Sequence, residues 1–194
     1  MGYFYVLVLY ISVTKIEDKD ILALFKDEKT RNTALSQLIS KYQKMLYWHI
    51  RKIVIDHDDS DDVLQNTYIK IWKGLENFRE DSQLFTWMYR IATNEALTML
   101  RQKKKANTTS IHPIEFELSK NLETDNYFKG DEIQLKLQQA ILTLPEKQRI
   151  VFNMRYYDET PYEKMSEILE TSVGALKASY HIAAKKVEEF LVNR

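Results

Sequence analysis

A long stretch without glycine or proline, residues 82–105, constrains the fold of this chain more than any other feature. Its apolar residues recur at three- and four-residue spacing, which predicts an α-helix with one broad buried face. That predicted face consists of Leu84, Trp87, Met88, Ile91, Ala92 and Met99. Glycine and proline number only 4 and 3 in 194 residues, so helices are favoured over a β-sandwich or a glycine-rich nucleotide-binding fold.

A second side of the same predicted helix is polar and ends in a basic cluster. The polar stripe comprises Thr86, Arg90, Asn94, Arg101 and Lys105, and the basic end comprises Arg101, Lys103, Lys104 and Lys105. Cations near a helix C-terminus interact favourably with the helix dipole, and they would also bind a phosphate backbone. The pattern alone therefore fits either an ordinary amphipathic helix with a solvated end or a helix that faces nucleic acid.

Composition limits the classes of protein that fit. The hydrophobic content of 44% and charged content of 29% are typical of a soluble globular protein. The chain has no cysteine, which excludes disulfides, thiolate zinc sites and thiol catalysis. Its formal net charge is zero, which counts against a simple DNA-binding protein. Residues 3–13 form an apolar run that is too short to span a bilayer and lacks the features of a signal peptide. We expect residues 1–19 to be a non-essential extension.

The pattern predicts four helices in a first domain, residues 20–105. A short helix over 20–28 is followed by a long one that begins at Thr30 or Thr33 and ends near residue 55. A third is predicted over 63–75, with Ser60 as its N-cap and Asp61 and Asp62 in its first turn. Its predicted core face is Leu64, Tyr68, Ile71, Trp72 and Leu75. The acidic segment 56–62 is not a calcium loop, because it lacks the required glycine and final glutamate.

Residues 106–130 show no clear periodicity and are interpreted as a linker to a second helical domain, residues 131–194. Asp131 and Gln134 suggest a capping box before an apolar stripe of Ile133, Leu137, Ala140, Ile141 and Leu144. Pro145 separates that helix from the next. Thr160 is expected to cap a short helix that ends near Leu169, and a last helix is predicted over 173–191. Its predicted buried face is Val173, Leu176, Tyr180, Ala183, Val187 and Phe190.

The last two predicted helices have the layout of a helix-turn-helix. A short helix, a three-residue turn and a longer helix would present Lys177, Ser179, His181 and Lys185 on the outside. Such side chains can reach base edges and phosphates. The turn carries Glu170 where glycine is common, so a plain helical hairpin is the alternative interpretation.

No set of residues suggests catalysis or metal binding, so we expect no enzyme activity, cofactor, metal site or small-molecule substrate. The four histidines are scattered, and we expect each to be a surface or capping residue: His49, His57, His112 and His181. Phosphate-loop and nucleophile-elbow motifs do not occur.

Three strings in this chain resemble one known family. Residues 61–75 (DDVLQNTYIKIWKGL) and residues 78–94 (FREDSQLFTWMYRIATN) resemble region 2 of extracytoplasmic-function (ECF) sigma factors. Residues 144–186, which begin LPEKQRIVFNMRYYDETPYEKMSEILE, resemble their region 4. The resemblance covers about residues 20–193, with the two regions in the family's order. It implies an all-α protein of two small helical domains that directs RNA polymerase to promoters and assists their melting.

The resemblance also implies roles for individual residues. The expected contacts with the polymerase core are Asp61, Asp62, Gln65, Asn66 and Lys73. The expected contacts with the minus-ten element are Phe78, Arg79, Ser82, Trp87, Arg90, Asn94, Arg101, Lys103, Lys104 and Lys105. The expected contacts with the minus-thirty-five element are Ser172, Lys177, Ala178, Ser179, His181, Ile182 and Lys185.

The chain departs from the family's pattern at several of these positions. Asn66 and Thr98 stand where the family often has a carboxylate, and Ser179, Ile182 and Ala184 replace arginines. The minus-thirty-five sequence therefore does not follow from the resemblance.

The expected partners are the bacterial RNA polymerase core, promoter DNA and an anti-sigma factor, which is often membrane-anchored in the family. The expected location is the cytoplasm. Two alternatives remain at this point: a helix-turn-helix regulator with a dimerising first domain, and a helical protein-interaction adaptor.

Overall fold

The computed structural model describes residues 16–106 and 132–192, and within these ranges all regular structure is helical. The helices are α1 (Asp18–Lys26), α2 (Arg31–Val54), α3 (His57–Leu75), α4 (Leu84–Ala106), α5 (Glu132–Leu142), α6 (Glu146–Tyr156), α7 (Tyr162–Leu169) and α8 (Val173–Val192). The predicted all-α fold with two groups of four helices is confirmed. Residues 1–15 and 107–131 lie outside the described ranges, so the predicted extension, the linker and the Asp131 cap stay predictions.

In the first group, α2 is the central helix and packs against the other three, α1, α3 and α4. One apolar stripe of α2 is fully buried, and each partner helix adds a buried side chain to the same core, such as Ile71 and Met88. The central side chains of α2 are Leu38, Leu46 and Ile50. Of the face predicted for α4, Leu84, Met88 and Ala92 are buried, while Trp87, Ile91 and Met99 are half-buried.

The start of α3 differs from the prediction. The helix begins at His57, because the carboxylate of Asp56 caps it by accepting a hydrogen bond from the backbone N–H of Asp59 at 3.0 Å. Ser60 was predicted to be the cap, and that prediction is wrong. It is buried inside the first turn, and its hydroxyl donates back to the carbonyl of Asp56. The acidic segment is therefore the beginning of α3 and not a break before it.

In the second group, α8 packs against α5, α6 and α7 around Ala140, Ile141, Phe152, Ala183 and Val187. Two predictions made for this group are wrong. Ile133 was expected in the core, but it is 74% exposed because it lies in the first turn of α5, beyond the packed surface. Thr160 was expected to cap α7, but Pro161 occupies the cap position and no side chain caps it. Thr160 is instead buried, and its N–H donates to Met154.

The two groups of helices touch each other. Helix α7 lies along α4, and α6 contacts α2. Their buried side chains join one continuous cluster, in which Met154, Met165 and Ile168 meet residues of the first group. Side chains of one group can therefore cover or pair with side chains of the other.

Candidate nucleic-acid interface

The loop between α3 and α4 carries Phe78, Arg79 and Ser82. Phe78 is held against Trp87 of α4, with ring centroids 5.0 Å apart and planes inclined by 42°. Both rings are half-buried, and Arg79 is exposed. Glu80 takes a left-handed backbone conformation (φ 60°), which turns the chain back towards α4. The loop thus presents an aromatic pair beside polar groups, which is the chemistry that stacks and holds an unpaired base.

The polar stripe predicted on α4 is largely present. Arg90 is half-buried, whereas Asn94 and Arg101 are exposed on the same side. The guanidinium of Arg101 is oriented along the helix by a hydrogen bond, in which its Nε–H donates to the carbonyl of Leu97 at 3.1 Å. Thr86 was predicted to belong to this stripe, and that prediction is wrong. Thr86 is only 2% exposed, because it lies in the first turn of α4 on a side that the fold buries.

The basic end of α4 is divided between two environments. Lys103 is half-buried and pairs with Asp59 near the start of α3, so this lysine ties the two helices together. Arg101, Lys104 and Lys105 are exposed. A phosphate backbone that followed this end of α4 would therefore meet Arg101, Lys104 and Lys105 before Lys103.

The outward side of α3 carries the residues expected to contact a protein partner. Asp62, Gln65, Asn66 and Lys73 are exposed, and Asp61 is half-buried, with its carboxylate 3.8 Å from His57 Nε2. Ile69 belongs to the same side and is 51% exposed, although sequence reasoning did not select it. Its position follows from helical spacing, since it lies three residues after Asn66 and four before Lys73. This side combines acidic and amide groups with one exposed apolar side chain, a mixture that suits a protein surface.

The candidate recognition helix is α8. Ser172 caps its start, since its hydroxyl accepts from the N–H of Ala175 at 3.3 Å. Lys177, Ala178, His181, Ile182 and Lys185 are exposed, and Ser179 is half-buried. Glu170 forms the turn before it in the left-handed conformation (φ 50°) that glycine usually supplies. The ammonium of Lys177 lies 5.7 Å from the ring centroid of Tyr162, so α7 also orients it.

Contacts from the second group cover part of the α4 side. Arg90 Nη1 lies 3.3 Å from Glu170 Oε1, and Lys164 Nζ lies 5.6 Å from the centroid of the Phe85 ring. A cleft of about 830 Å³ separates the Phe78 loop from α7, and carboxylates line both of its walls. These are Asp18, Glu80, Asp81, Glu163 and Glu167, against the cations Lys19 and Lys164. In this arrangement the field of the cleft is unfavourable for DNA phosphates.

A polar cluster joins α6 to α2. Asp158 pairs with Lys52, and its Oδ2 lies 3.5 Å from His49 Nδ1. Asn153 Nδ2 donates to the carbonyl of Lys52 at 3.1 Å, and His49 Nε2 contacts Thr93 Oγ1 at 2.8 Å. Burial raises the pKa of the Asp158 carboxyl, but the neighbouring His49 imidazole and Lys52 ammonium outweigh this effect and lower that pKa below its usual value.

The prediction that every histidine is a surface or capping residue is wrong for His49, which is 2% exposed. His57 and His181 are exposed as predicted, and His112 lies outside the described residues. The signal for His49 was its spacing from Leu46 and Ile50 on the buried stripe of α2.

Within residues 16–106 and 132–192, no cluster of three or more His, Asp and Glu side chains could hold a metal ion. In the same ranges, no helix has both the length and the apolar character needed to cross a membrane.

Comparison with known proteins identifies two sequence regions. Residues 38–106 match Sigma-70 region 2, and residues 134–187 match Sigma-70, region 4. The RNA polymerase sigma-H factor of Pseudomonas aeruginosa is 28% identical over 183 residues, covering 90% of this chain and 95% of that protein. The ECF RNA polymerase sigma-E factor of Escherichia coli K12 is 27% identical over 169 residues, covering 83% and 88%.

Two solved structures share the fold. The structure of CnrH in complex with the cytosolic domain of CnrY has a TM-score of 0.66 at 20% identity, covering 91% of this chain and 97% of that one. The sigma factor RpoE in complex with the anti-sigma factor NepR from Bartonella quintana has a TM-score of 0.63 at 21% identity, covering 80% and 95%.

Proposed function

This chain belongs to the sigma-70 family as an RNA polymerase sigma factor of ECF type, and from that premise we propose how its surfaces divide the work of transcription initiation. The observation that carries the assignment is the presence of both sigma regions, in order, on one chain. A stand-alone regulator or an adaptor would need only one of them. The proposal assigns no catalytic step to the chain, which acts through binding.

The outward side of α3 binds the polymerase core. Support comes from the exposure of Asp62, Gln65 and Asn66 on one side of a helix whose opposite side is buried in the core. Ile69 adds apolar area at the centre of that side. A neutral chain can then act on DNA, because the polymerase supplies most of the affinity. The acidic groups at the N-terminus of α3 would repel DNA, so binding of a protein partner at this side is favoured over binding of DNA.

The Phe78 loop and the exposed side of α4 bind the opened minus-ten element. Extruding a base costs a few kcal/mol in lost stacking and pairing. A protein that uses no nucleotide hydrolysis offsets this cost by stacking the free base and contacting its backbone. The Phe78–Trp87 pair, Asn94 and Arg101 supply those groups at one end and along one side of α4.

The exposed side of α8 binds duplex DNA at the minus-thirty-five element. Lys177, His181 and Lys185 recur at four-residue intervals on that side, as a helix lying in a major groove requires. The apolar side chains of Ala178 and Ile182 lie between them and are suited to contact with thymine methyl groups. Ser172 is placed at the helix N-terminus, where a phosphate contact is favourable.

We further infer that the chain works in the cytoplasm, where core polymerase and promoter DNA are found, and that an anti-sigma factor restrains it. The solved structures of CnrH with CnrY and of RpoE with NepR support the second point, since in each a relative of the same fold is bound to another protein.

Transcription in vitro with purified core polymerase on the DNA upstream of this gene tests the proposal. We expect specific transcripts only when the chain is added. Lys177→Ala should weaken duplex minus-thirty-five binding by about 1–3 kcal/mol if it reads a base, or reduce the salt slope by about one if it contacts a phosphate. Asn94→Ala should spare duplex binding but impair opening, measured as permanganate reactivity of unpaired thymines, and a pre-melted template should bypass that defect. Failure of the chain to bind core polymerase would contradict the proposal.

A further inference from the structure

Gly74 lies one residue before the end of α3, directly beneath the indole of Trp87. A β-carbon built at this position would lie 2.8 Å from Trp87 Cζ2 and 3.2 Å from Trp87 Cη2. Distances below 3.0 Å do not occur between non-bonded carbon atoms at rest, so any side chain at residue 74 must displace the indole. The ring of Trp87 thus occupies the space that the missing side chain leaves.

The usual reason for a glycine does not apply here. Glycine is required where the backbone needs a positive φ, but Gly74 is inside a regular helical turn, and the positive-φ residues of the loop are elsewhere, such as Glu80. Glycine also weakens a helix relative to alanine. The close approach of Trp87 is therefore the structural reason for glycine at residue 74.

Gly74 is also the point where the chain leaves α3 towards the Phe78 loop. Its carbonyl accepts the N–H of Asn77 at 3.0 Å, and the carbonyl of Leu75 accepts the N–H of Phe78 at 3.2 Å. Phe78 then packs on Trp87, with centroids 5.0 Å apart. Trp87 therefore contacts both Gly74 and Phe78. A displacement of its indole by a side chain at residue 74 would also displace Phe78 and the loop that carries it.

We propose that Gly74 is a positioning residue for minus-ten recognition: by admitting the Trp87 indole, it sets the height and tilt of the Phe78–Trp87 pair that receives the unpaired base. This inference rests on the proposed role of the Phe78 loop. Trp87 is half-buried, so an added methyl group at residue 74 can push it outward without opening the core. The fold is kept, and the aromatic pair is misplaced.

The test compares Gly74→Ala with Gly174→Ala, because Gly174 is also helical and a β-carbon there would meet nothing within 4 Å. We expect Gly74→Ala to reduce open-complex formation by about two- to tenfold, the effect of forcing one side chain off its preferred rotamer. Core binding, duplex minus-thirty-five binding and the midpoint of thermal unfolding should stay close to those of the parent. Because Gly174 lies on the proposed duplex-binding side of α8, Gly174→Ala is compared with the parent at equal occupancy of duplex promoter, and at that occupancy it should open promoter DNA to the same extent.

A double-mutant cycle with Trp87→Phe separates positioning from a general loss of structure. The phenyl ring lacks the part of the indole that faces residue 74, so Gly74→Ala should cost less than about twofold in the Trp87→Phe background. The chain has three tryptophans, and 5-fluorotryptophan NMR reports each one, with the Trp87 resonance assigned by its loss in Trp87→Phe. That resonance should shift in Gly74→Ala and stay in place in Gly174→Ala.

An unshifted Trp87 resonance, or an equal loss of opening in both backgrounds, overturns the positioning role while leaving the proposed function intact. If the parent holoenzyme itself opens no promoter DNA, the proposed function fails, and the role of Gly74 in DNA recognition fails with it.

Discussion

Ile69 is the exposed apolar side chain in the middle of the outward side of α3. It is 51% exposed, between Asn66 and Lys73, whereas the apolar residues on the opposite side of the same helix are buried. A partner that covered this side would remove Ile69 from water, and burial of an isoleucine stabilises a complex by about 1.5–3 kcal/mol. The side chain contributes little to folding while it remains exposed.

We therefore expect Ile69→Ala to weaken binding of core polymerase by about 1–2 kcal/mol, since alanine retains part of the apolar area that isoleucine would bury in the complex. The free energy of unfolding should change by about 0.5 kcal/mol or less. Met45→Ala is the matched control, because Met45 is 46% exposed on α2 and is not among the residues proposed to contact the polymerase. Titration of labelled core polymerase measures the affinity of both variants and of the parent. Equal affinities would show that α3 does not present this side to the polymerase.

At the scale of helices, the acidic segment 56–62 provides the cap and the first turn of α3. The Asp56 carboxylate accepts the N–H of Asp59 at 3.0 Å, so the loss of this cap should destabilise the helix that carries the proposed polymerase side. We expect Asp56→Ala to lower the free energy of unfolding by about 1 kcal/mol. Asp58→Ala removes an exposed carboxylate from the same turn and should cost about 0.3–1 kcal/mol through the helix dipole. Urea denaturation distinguishes the two, and the larger loss in Asp58→Ala would contradict the capping geometry.

This helix also illustrates what the sequence could and could not reveal. Apolar periodicity predicted the existence and the core faces of the helices, because burial of Ile71 or Met88 depends mainly on spacing along one element. It missed the true cap of α3, because both Asp56 and Ser60 have side chains that can cap and only the path of the chain selects between them. Thr86 was assigned to an exposed stripe for a similar reason, since its burial depends on how neighbouring helices enclose the first turn of α4.

In the candidate site, too, spacing along one helix was predictable, whereas contacts between distant parts of the chain were not. The outward positions of α3 and α8 could be predicted from helical spacing, since no other helix within residues 16–106 and 132–192 covers them. The pairing of Arg90 with Glu170 and of Lys103 with Asp59 could not be predicted, because each joins residues far apart in the chain. The assignment of polymerase and DNA roles to these residues remains a prediction that the proposed experiments test.

At the scale of the whole molecule, the contact between the two groups of helices places α7 over part of the α4 side. Glu170 lies 3.3 Å from Arg90, and carboxylates line the cleft beside the Phe78 loop. DNA that followed α4 would have to displace these groups. If α4 binds the minus-ten element as proposed, the two groups would have to separate to expose that side fully. Asp158, which pairs with Lys52 and lies beside His49 of α2, is a charged residue that opposes that separation.

We expect Asp158→Asn to favour separation, because it leaves Lys52 and His49 without their carboxylate partner. Removal of one member of a buried pair typically costs about 3–5 kcal/mol, and we expect about 2 kcal/mol here because asparagine keeps a hydrogen-bonding oxygen. The chain has no cysteine, so two introduced cysteines, at Lys19 and Lys186, can carry fluorescent labels that report the distance between the groups. Glu132→Gln is the control, because it removes a carboxylate that is 84% exposed and that pairs with Lys136 of the same helix.

The pH dependence of that distance follows from the lowered pKa of Asp158. Its folded pKa lies below the ordinary value near 3.8, so above that value the ionised carboxylate stabilises the arrangement in which the two groups of helices are in contact. This stabilisation is lost as pH falls through the lowered pKa. The difference in label distance between Asp158→Asn and the parent should therefore be present at pH 5, above the ordinary pKa of the carboxyl, and should shrink as pH falls below about 4. A label distance that is the same in both proteins at neutral pH would show that Asp158 does not hold the two groups together.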